Sequence, residues 1–281
     1  MNEMLVAHFG PHFGEEPPIS GERGSGNIFF SSCNLRCVYC QNFQISHEYK
    51  GKKTSIDDLV EIFFVLQGMG AHNINLVSPT PYVPFIVPAI MQARKEGLLI
   101  PFVYNTHGYE NVETLRMLDG LIDIYLPDFK YWSGEVARRL SSAGDYPETA
   151  QRAILEMKRQ AGNLVTEEGI AQKGILVRHL VLPSNLAGSR QVLGWIKKEL
   201  GIETHVSLMA QYNPLHKALD FPMLGRRIKE GEYEALLDIV VHEGFQNVFV
   251  QDLESAEAYV PDFEREEPFT EYTKEDGRLS R

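Results

Sequence analysis

Three cysteines lie within one short segment of the 281-residue chain, at Cys33, Cys37 and Cys40, and the chain has no others. Iron-sulfur clusters are held by cysteine thiolates, and a loop of this length can surround a single four-iron cluster. One iron would then lack a protein ligand. As in catalytic metal sites, such an open position can bind and activate a substrate.

Two other interpretations of the cysteines stay open. Three thiolates, completed by His47 or another His, could form a structural zinc site. Three unliganded thiols are less favoured, because clustered thiols oxidise readily. An odd number of cysteines cannot complete a disulfide framework, so we expect a reducing, cytoplasmic environment in which the thiols bind metal.

The composition argues against nucleic acid and membranes as partners. The net charge is −11 and 43% of residues are hydrophobic, whereas phosphate binding needs clustered lysines and arginines. The sequence has no apolar run of membrane-spanning length and begins without a basic region followed by an apolar stretch. We therefore expect a cytoplasmic globular protein without a secretory signal.

The elements that must position the cysteines alternate between strand and helix. Short apolar runs predict strands at Phe29, Ile74, Val103, Ile124, Val177 and Val206. Helical spacing marks residues 59–66, 85–95, 112–118, 134–140, 147–160, 190–200 and 232–242. This alternation predicts an α/β fold with parallel strands, and we favour a partial (β/α)6 TIM-type barrel over a doubly wound sheet.

One domain is expected over residues 1–253, with residues 1–26 as an N-terminal extension. Residues 163–173 are polar and predict a break between elements. Residues 254–281 are charged and weakly apolar, which predicts a peripheral strap or a poorly ordered end.

Chemistry in barrels of this type lies at the carboxyl ends of the strands. Asn105 follows one strand and either binds a ligand or caps the next helix. Asp128 and Lys130 alternate along an extended segment, so they face one side, as site residues or as a structural ion pair. Arg178 lies on an apolar strand and needs a carboxylate partner, either from a ligand or from Asp128.

Gln211 and Tyr212 end the sixth predicted strand. They could close a pocket over substrate, with Tyr212 placed for a catalytic hydrogen-atom relay. Simple packing of the Tyr212 ring is the alternative.

The spacing Cys-x3-Cys-x2-Cys, with Tyr39 directly before the last cysteine, resembles the hallmark of the radical SAM superfamily. The resemblance implies a [4Fe-4S] cluster whose open iron binds S-adenosyl-L-methionine (SAM). One electron from the reduced cluster then releases methionine and a 5′-deoxyadenosyl radical. It also implies that Tyr39 lines the adenine of SAM.

A wider similarity points to the branch related to pyruvate formate-lyase activating enzymes. It rests on residues 16–42, Asp128 with Lys130, the strand from Arg178 to Pro183, and residues 208–212. This resemblance implies hydrogen abstraction from a glycyl radical enzyme or a small molecule, with flavodoxin or ferredoxin as the electron donor. The absence of further cysteines argues against auxiliary clusters.

The chain departs from that branch after its second predicted strand. The activating enzymes carry Gly-Gly-Glu there, which binds the SAM amino group, whereas this chain has Ser78-Pro-Thr80. The hydroxyls of Ser78 and Thr80, or the Ser78 carbonyl, could accept from the ammonium, or the prolines could merely shape a turn. A non-catalytic iron-sulfur or zinc module is the alternative function.

Overall fold

The computed structural model describes residues 3–253, 260–265 and 267–269. Its strands are β1 (Met4–His12), β2 (Ser25–Phe30), β3 (Lys52–Thr54), β4 (Ile74–Val77), β5 (Phe102–Thr106), β6 (Ile124–Pro127), β7 (Val165–Glu167), β8 (Ile170–Leu180), β9 (His205–Met209) and β10 (Val248–Val250). Its helices are α1 (Pro17–Ser20), α2 (Phe43–Ser46), α3 (Ile56–Gly68), α4 (Val83–Lys95), α5 (Val112–Arg116), α6 (Gly134–Ser141), α7 (Tyr146–Ala161), α8 (Ser189–Leu200) and α9 (Glu230–Glu243).

The strands form one open sheet in the order β10-β9-β8-β6-β5-β4-β2-β1-β3, with β7 beside β8. From β2 to β10 the neighbours along this path are parallel. Parallel strands that are adjacent in chain order produce a barrel wall, whereas a doubly wound sheet reverses its order part-way. The predicted α/β partial barrel is confirmed, and each of the six predicted strands is present.

Alternation along the strands separates two apolar clusters. On β5, Phe102 and Tyr104 belong to the larger cluster that includes the helices, whereas Val103 packs in a second cluster with Ile124 and Leu176. Successive strand residues face opposite sides of a sheet, which explains the division. Ile19, from the N-terminal extension, completes the second cluster and is fully buried.

The N-terminal extension is built into the sheet and the core. Strand β1 pairs antiparallel with both β2 and β3. Beyond it, Glu15 and Glu16 form ion pairs with Arg178 on β8. Asn27 and Asn75 also donate to Glu15 Oε1, at 2.8 and 2.9 Å. The extension therefore closes the inner side of the barrel, which the sequence did not predict.

The polar break predicted at residues 163–173 is wrong for most of that segment. Strand β7 and the start of β8 form an antiparallel hairpin there. Glu168 and Gly169, the two residues between the strands, have φ of 50° and 82°. Two consecutive positive φ values suit the tight turns that join twisted strands, so this polar segment still forms a hairpin.

No helix in the described ranges is long and apolar enough to cross a bilayer. Helix α3 begins at a reciprocal capping box formed by Ser55 and Asp58.

We expect Arg178→Met to lower the free energy of unfolding by about 3–5 kcal/mol, because it leaves two buried carboxylates without their cation. Urea unfolding measures this change. The matched control is Arg116→Met, which removes an exposed guanidinium paired with the exposed Glu113 and should cost much less. Equal losses in the two variants would contradict the importance of the buried pair.

Candidate active site

The cysteine loop begins just after β2 and docks on the end of α6. The backbone N–H groups of Arg36 and Val38 donate to the carbonyls of Ser141 and Leu140, at 3.0 and 2.9 Å. The last carbonyls of a helix lack partners within it and accept bonds from elsewhere. The end of α6 therefore fixes the loop that carries the cysteines.

All three cysteines are free and border one cavity of about 240 Å³. The predicted residues that also border it are Tyr39, Ser78, Asn105, Asp128, Lys130, Arg178, Gln211 and Tyr212. They come from the carboxyl ends of β4, β5, β6, β8 and β9 and from the loops that follow these strands and β2, so the barrel gathers them as the strand pattern predicts.

Thr80 is the predicted site residue that does not border the cavity. Its hydroxyl donates to Glu110, a buried carboxylate that also accepts from the hydroxyls of Thr106 and Tyr104. Burial raises the pKa of Glu110 to about 7, although the three hydroxyls act to lower it. Thr80 therefore helps to hold the loops after β4 and β5 together. Of the two hydroxyl residues predicted to bind the SAM ammonium, Ser78 borders the cavity and Thr80 does not.

Arg178 is held by carboxylates that the sequence analysis did not identify. Its Nε donates to Glu16 Oε1 at 2.8 Å, and Glu15 accepts from Nη2, so the prediction of Asp128 as the internal partner is wrong. Burial alone would raise the pKa of Glu15, but the guanidinium and His12 lower it to about 2. Within the described residues, Arg178 is thus already neutralised.

Asn105 lies beside this buried charge. Its Oδ1 is 3.4 Å from Arg178 Nη1, and its side chain borders the cavity. The next helix, α5, is capped by Asn111, whose Oδ1 accepts from the N–H of Glu113 at 2.8 Å. The capping alternative for Asn105 is therefore wrong.

Asp128 and Lys130 form an ion pair with 2.5 Å between Oδ2 and Nζ. Their side chains are only 18% and 14% exposed, so solvent screens the pair weakly. Burial acts to lower the pKa of Lys130, but Asp128 and Cys37 outweigh it and raise the pKa. Lys130 consequently presents a permanent cation on the cysteine side of the cavity.

His107 presents a neutral donor in the same cavity. Its Nδ1 accepts from the N–H of Tyr109 at 3.1 Å, so Nε2 carries the proton. Burial lowers the pKa of His107 to about 3, and Nε2 has no protein partner among the described residues. The ring therefore has one N–H group left to offer a ligand.

Tyr212 borders the cavity, and its ring meets Tyr39 edge to face at 5.6 Å. Its hydroxyl, however, donates to the carbonyl of Leu224 at 2.8 Å. A hydroxyl has one proton to give, so the structure does not support the predicted hydrogen-atom relay. Gln211 lines the cavity beside Tyr212, and its Oε1 accepts from Gln251 at 3.3 Å.

Part of the predicted tail reaches the cavity. Pro261 and Phe269 border it, and the Phe269 ring lies 4.6 Å from that of His12 and 5.2 Å from that of Phe29. Aromatic contacts of this kind explain why residues 260–265 and 267–269 fold back on the barrel. The rest of the tail predicted at residues 254–281 lies outside the described residues.

The cysteines suit a multi-iron cluster better than zinc. Within the described ranges, no three His, Cys, Asp or Glu side chains converge as ligands of one ion, and His47 does not border the cavity. In a four-iron cluster each thiolate binds a different iron, so the sulfurs surround a volume instead of a point. Three free cysteines around one cavity fit that requirement.

Burial raises the pKa of Cys33 to about 12 and that of Cys40 to about 11. Such thiols stay protonated unless a metal displaces the proton. Three nearby groups meet the sulfurs: the Leu35 N–H at Cys33 (3.4 Å), the Ser141 hydroxyl at Cys37 (3.0 Å) and the Ser46 hydroxyl at Cys40 (3.1 Å). These contacts only partly offset burial, so the thiolates depend on a bound cluster for their stability.

Comparison with known proteins gives the family. The sequence profile described as the Radical SAM superfamily matches residues 27–167, which include the cysteine loop and three of the parallel strands that follow β2. The chain belongs to the radical SAM superfamily. Membership implies an iron-sulfur cluster and SAM, and the residues around the cavity fit both.

Relatives of this radical SAM protein extend the similarity along most of the chain. An uncharacterised protein of Methanocaldococcus jannaschii, MJ0674, is 31% identical over 238 residues, which are 81% of this chain and 64% of the relative. The chain thus spans less than two thirds of that relative's length.

Solved structures share the fold at low identity. SuiB of Streptococcus suis, crystallised with its precursor peptide SuiA, matches with a TM-score of 0.56 and 12% identity, over 80% of this chain and 48% of SuiB. The hydrogenase maturase HydG of Carboxydothermus hydrogenoformans matches with a TM-score of 0.51 and 18% identity, over 77% of this chain and 50% of HydG. These likenesses show a common partial barrel.

We expect the stability of the protein to fall, relative to Glu110→Gln, as pH rises from about 4.5 to about 7. The pKa of Glu110 is raised in the folded state from 4.5 to about 7, so folding keeps a proton that the unfolded chain releases. The stabilisation is complete below the unfolded pKa and is lost as pH passes the folded one, by roughly 3 kcal/mol. Urea unfolding at several pH values measures the difference.

The control is Glu113→Gln, which alters an exposed carboxylate on α5 and should leave the pH profile as in the wild type. Parallel profiles for wild type and Glu110→Gln would refute the role given to Glu110.

Proposed function

We propose that this chain is a radical-generating enzyme that cleaves SAM reductively. The observation that carries the proposal is that Cys33, Cys37 and Cys40 surround the same cavity as the Asp128–Lys130 pair and the strand-end polar groups. When bound, the reduced [4Fe-4S] cluster supplies one electron to SAM, which yields methionine and a 5′-deoxyadenosyl radical.

The residues of the chain have distinct tasks in this proposal. The Lys130 ammonium and the His107 N–H are donors suited to the carboxylate of SAM, because a charged donor and a desolvated N–H both bind anions strongly. The Ser78 hydroxyl and carbonyl are acceptors for its ammonium, in place of the missing glutamate. Phe29, Leu35 and Met209 line other walls of the cavity and exclude water from a reactive radical.

For the substrate, we propose a glycyl radical enzyme. A C–H bond of glycine breaks, its hydrogen atom forms 5′-deoxyadenosine, and the unpaired electron stays on the partner. Support comes from the resemblance to pyruvate formate-lyase activating enzymes and from the open sheet, whose ends are β10 and β3. An open barrel admits a polypeptide loop. Flavodoxin or ferredoxin is the electron donor in this scheme.

A small-molecule substrate is the second candidate, favoured by one observation. Pro261 and Phe269 border the cavity, so the folded-back tail occupies space that an inserted peptide loop would need. A small substrate fits beneath the tail without displacing it.

We expect anaerobically reconstituted, dithionite-reduced protein to convert SAM to 5′-deoxyadenosine, measured by liquid chromatography and mass spectrometry. Cys37→Ala should abolish both product and the EPR signal of the reduced cluster. Lys130→Met should keep the signal and lose roughly tenfold or more in rate, since a charged hydrogen bond contributes about 1.5–3 kcal/mol.

Lys53→Met, at an exposed position of β3, is the control and should retain full activity. Bound zinc without sulfide, and no 5′-deoxyadenosine, would instead identify the non-catalytic module.

We expect a glycyl radical enzyme labelled with deuterated glycine to transfer deuterium into 5′-deoxyadenosine and to acquire an organic radical seen by EPR. The two yields should agree, because one abstraction gives one of each. Deuterium-free 5′-deoxyadenosine with no radical on the partner would eliminate the glycyl radical proposal. Stimulation of 5′-deoxyadenosine formation by low-molecular-weight metabolites would then select the small-molecule alternative.

A further inference from the structure

A chain of buried hydroxyls leads to the sulfur of Cys37. The Ser141 hydroxyl donates to Cys37 Sγ at 3.0 Å, the Tyr131 hydroxyl is 2.6 Å from that of Ser141, and the Tyr39 hydroxyl contacts that of Tyr131. The three side chains are at most 6% exposed. We call Tyr39, Tyr131 and Ser141 the hydroxyl relay.

The direction of the relay follows from proton counting. A cluster-bound thiolate only accepts hydrogen bonds, so Ser141 gives its single proton to Cys37. The Ser141 oxygen must then accept from Tyr131, and the Tyr131 oxygen must accept from Tyr39. All three O–H dipoles therefore point toward Cys37, and buried hydrogen bonds aligned in this way strengthen one another.

The groups beside the other two cysteines are weaker donors to sulfur. Cys33 accepts a backbone N–H at the longer distance of 3.4 Å. Ser46 lies 3.1 Å from Cys40, but its hydroxyl donates to the carbonyl of Asn42 at 2.8 Å. The Ser141 proton is therefore directed at a cysteine sulfur, whereas the Ser46 proton is shared with a backbone carbonyl.

We propose that the hydroxyl relay raises the reduction potential of the cluster, an inference that rests on the function proposed above. One electron from the external donor adds negative charge to the cluster and its sulfurs, and no bond to a proton is broken. Hydrogen bonds to the sulfurs are a known determinant of cluster potential. A donor directed at Cys37 favours the more negative, reduced state, so the relay residues act through Cys37 as positioning residues.

The test is an EPR-monitored redox titration of the reconstituted protein with dithionite and mediators. In Ser141→Ala the reduced state should become about tenfold less favourable relative to the oxidised state, which is about 59 mV lower in midpoint potential for one electron. Tyr131→Phe should shift the potential in the same direction by less, and Tyr39→Phe by less again. Ser141→Thr keeps the hydroxyl and should restore the wild-type potential.

Two controls match these variants. Ser46→Ala removes a hydroxyl beside Cys40, and Tyr125→Phe removes the hydroxyl of another buried tyrosine, which donates to Gln160. Tyr125→Phe should leave the potential unchanged, and Ser46→Ala should shift it by clearly less than Ser141→Ala, because the Ser46 proton is shared with the Asn42 carbonyl. Unshifted potentials in Ser141→Ala and Tyr131→Phe, or an equal shift in Ser46→Ala, would overturn the relay.

The outcomes separate the two proposals. A wild-type protein that binds no cluster overturns both of them. A cluster that forms but does not cleave SAM overturns the proposed function, and the titration still decides the relay. If the wild-type protein cleaves SAM normally, but the midpoint potentials of Ser141→Ala and Tyr131→Phe equal that of the wild type, only the proposal of the relay is overturned.

Discussion

The buried guanidinium of Arg178 is the charge around which the barrel is organised. A cation on an inward-facing strand position is stable only if carboxylates meet it, and Glu15 and Glu16 do so. These ion pairs hold the N-terminal extension across the inner side of the sheet. The extension thereby places Ile19 in the second apolar cluster, with Val103 and Leu176. His12 and Glu15 thereby become walls of the cavity. The N-terminal extension therefore both neutralises Arg178 and lines the cavity.

The sequence predicted those parts of the fold that depend on local patterns. Six apolar runs, each followed by a helix, were enough to predict parallel strands in chain order. The role of residues 1–26 was not readable, because a buried ion pair between Glu16 and Arg178 joins positions 162 residues apart. The hairpin at β7 was missed because its segment is polar and its turn depends on two positive φ values.

The site divides in the same way. The cysteine spacing is local and specific, so Cys33, Cys37 and Cys40 could be predicted as a unit. The strand-end residues could be placed near one another but not oriented, since a backbone pattern does not show whether Thr80 faces a ligand or Glu110. Ser141, Tyr131 and Glu110 stand in no recognisable motif. Their importance arises only when α6 and the loops after β5 and β6 are packed together.

The docking of the cysteine loop on α6 has a consequence for biosynthesis. The ribosome releases the cysteines early, but the carbonyls that hold their loop come from Leu140 and Ser141, about a hundred residues later, and the guanidinium that anchors the preceding segment comes later still. Contacts between distant parts of a chain form slowly and late in folding. The nascent chain therefore carries its three thiols before the carbonyls that hold their loop have been synthesised.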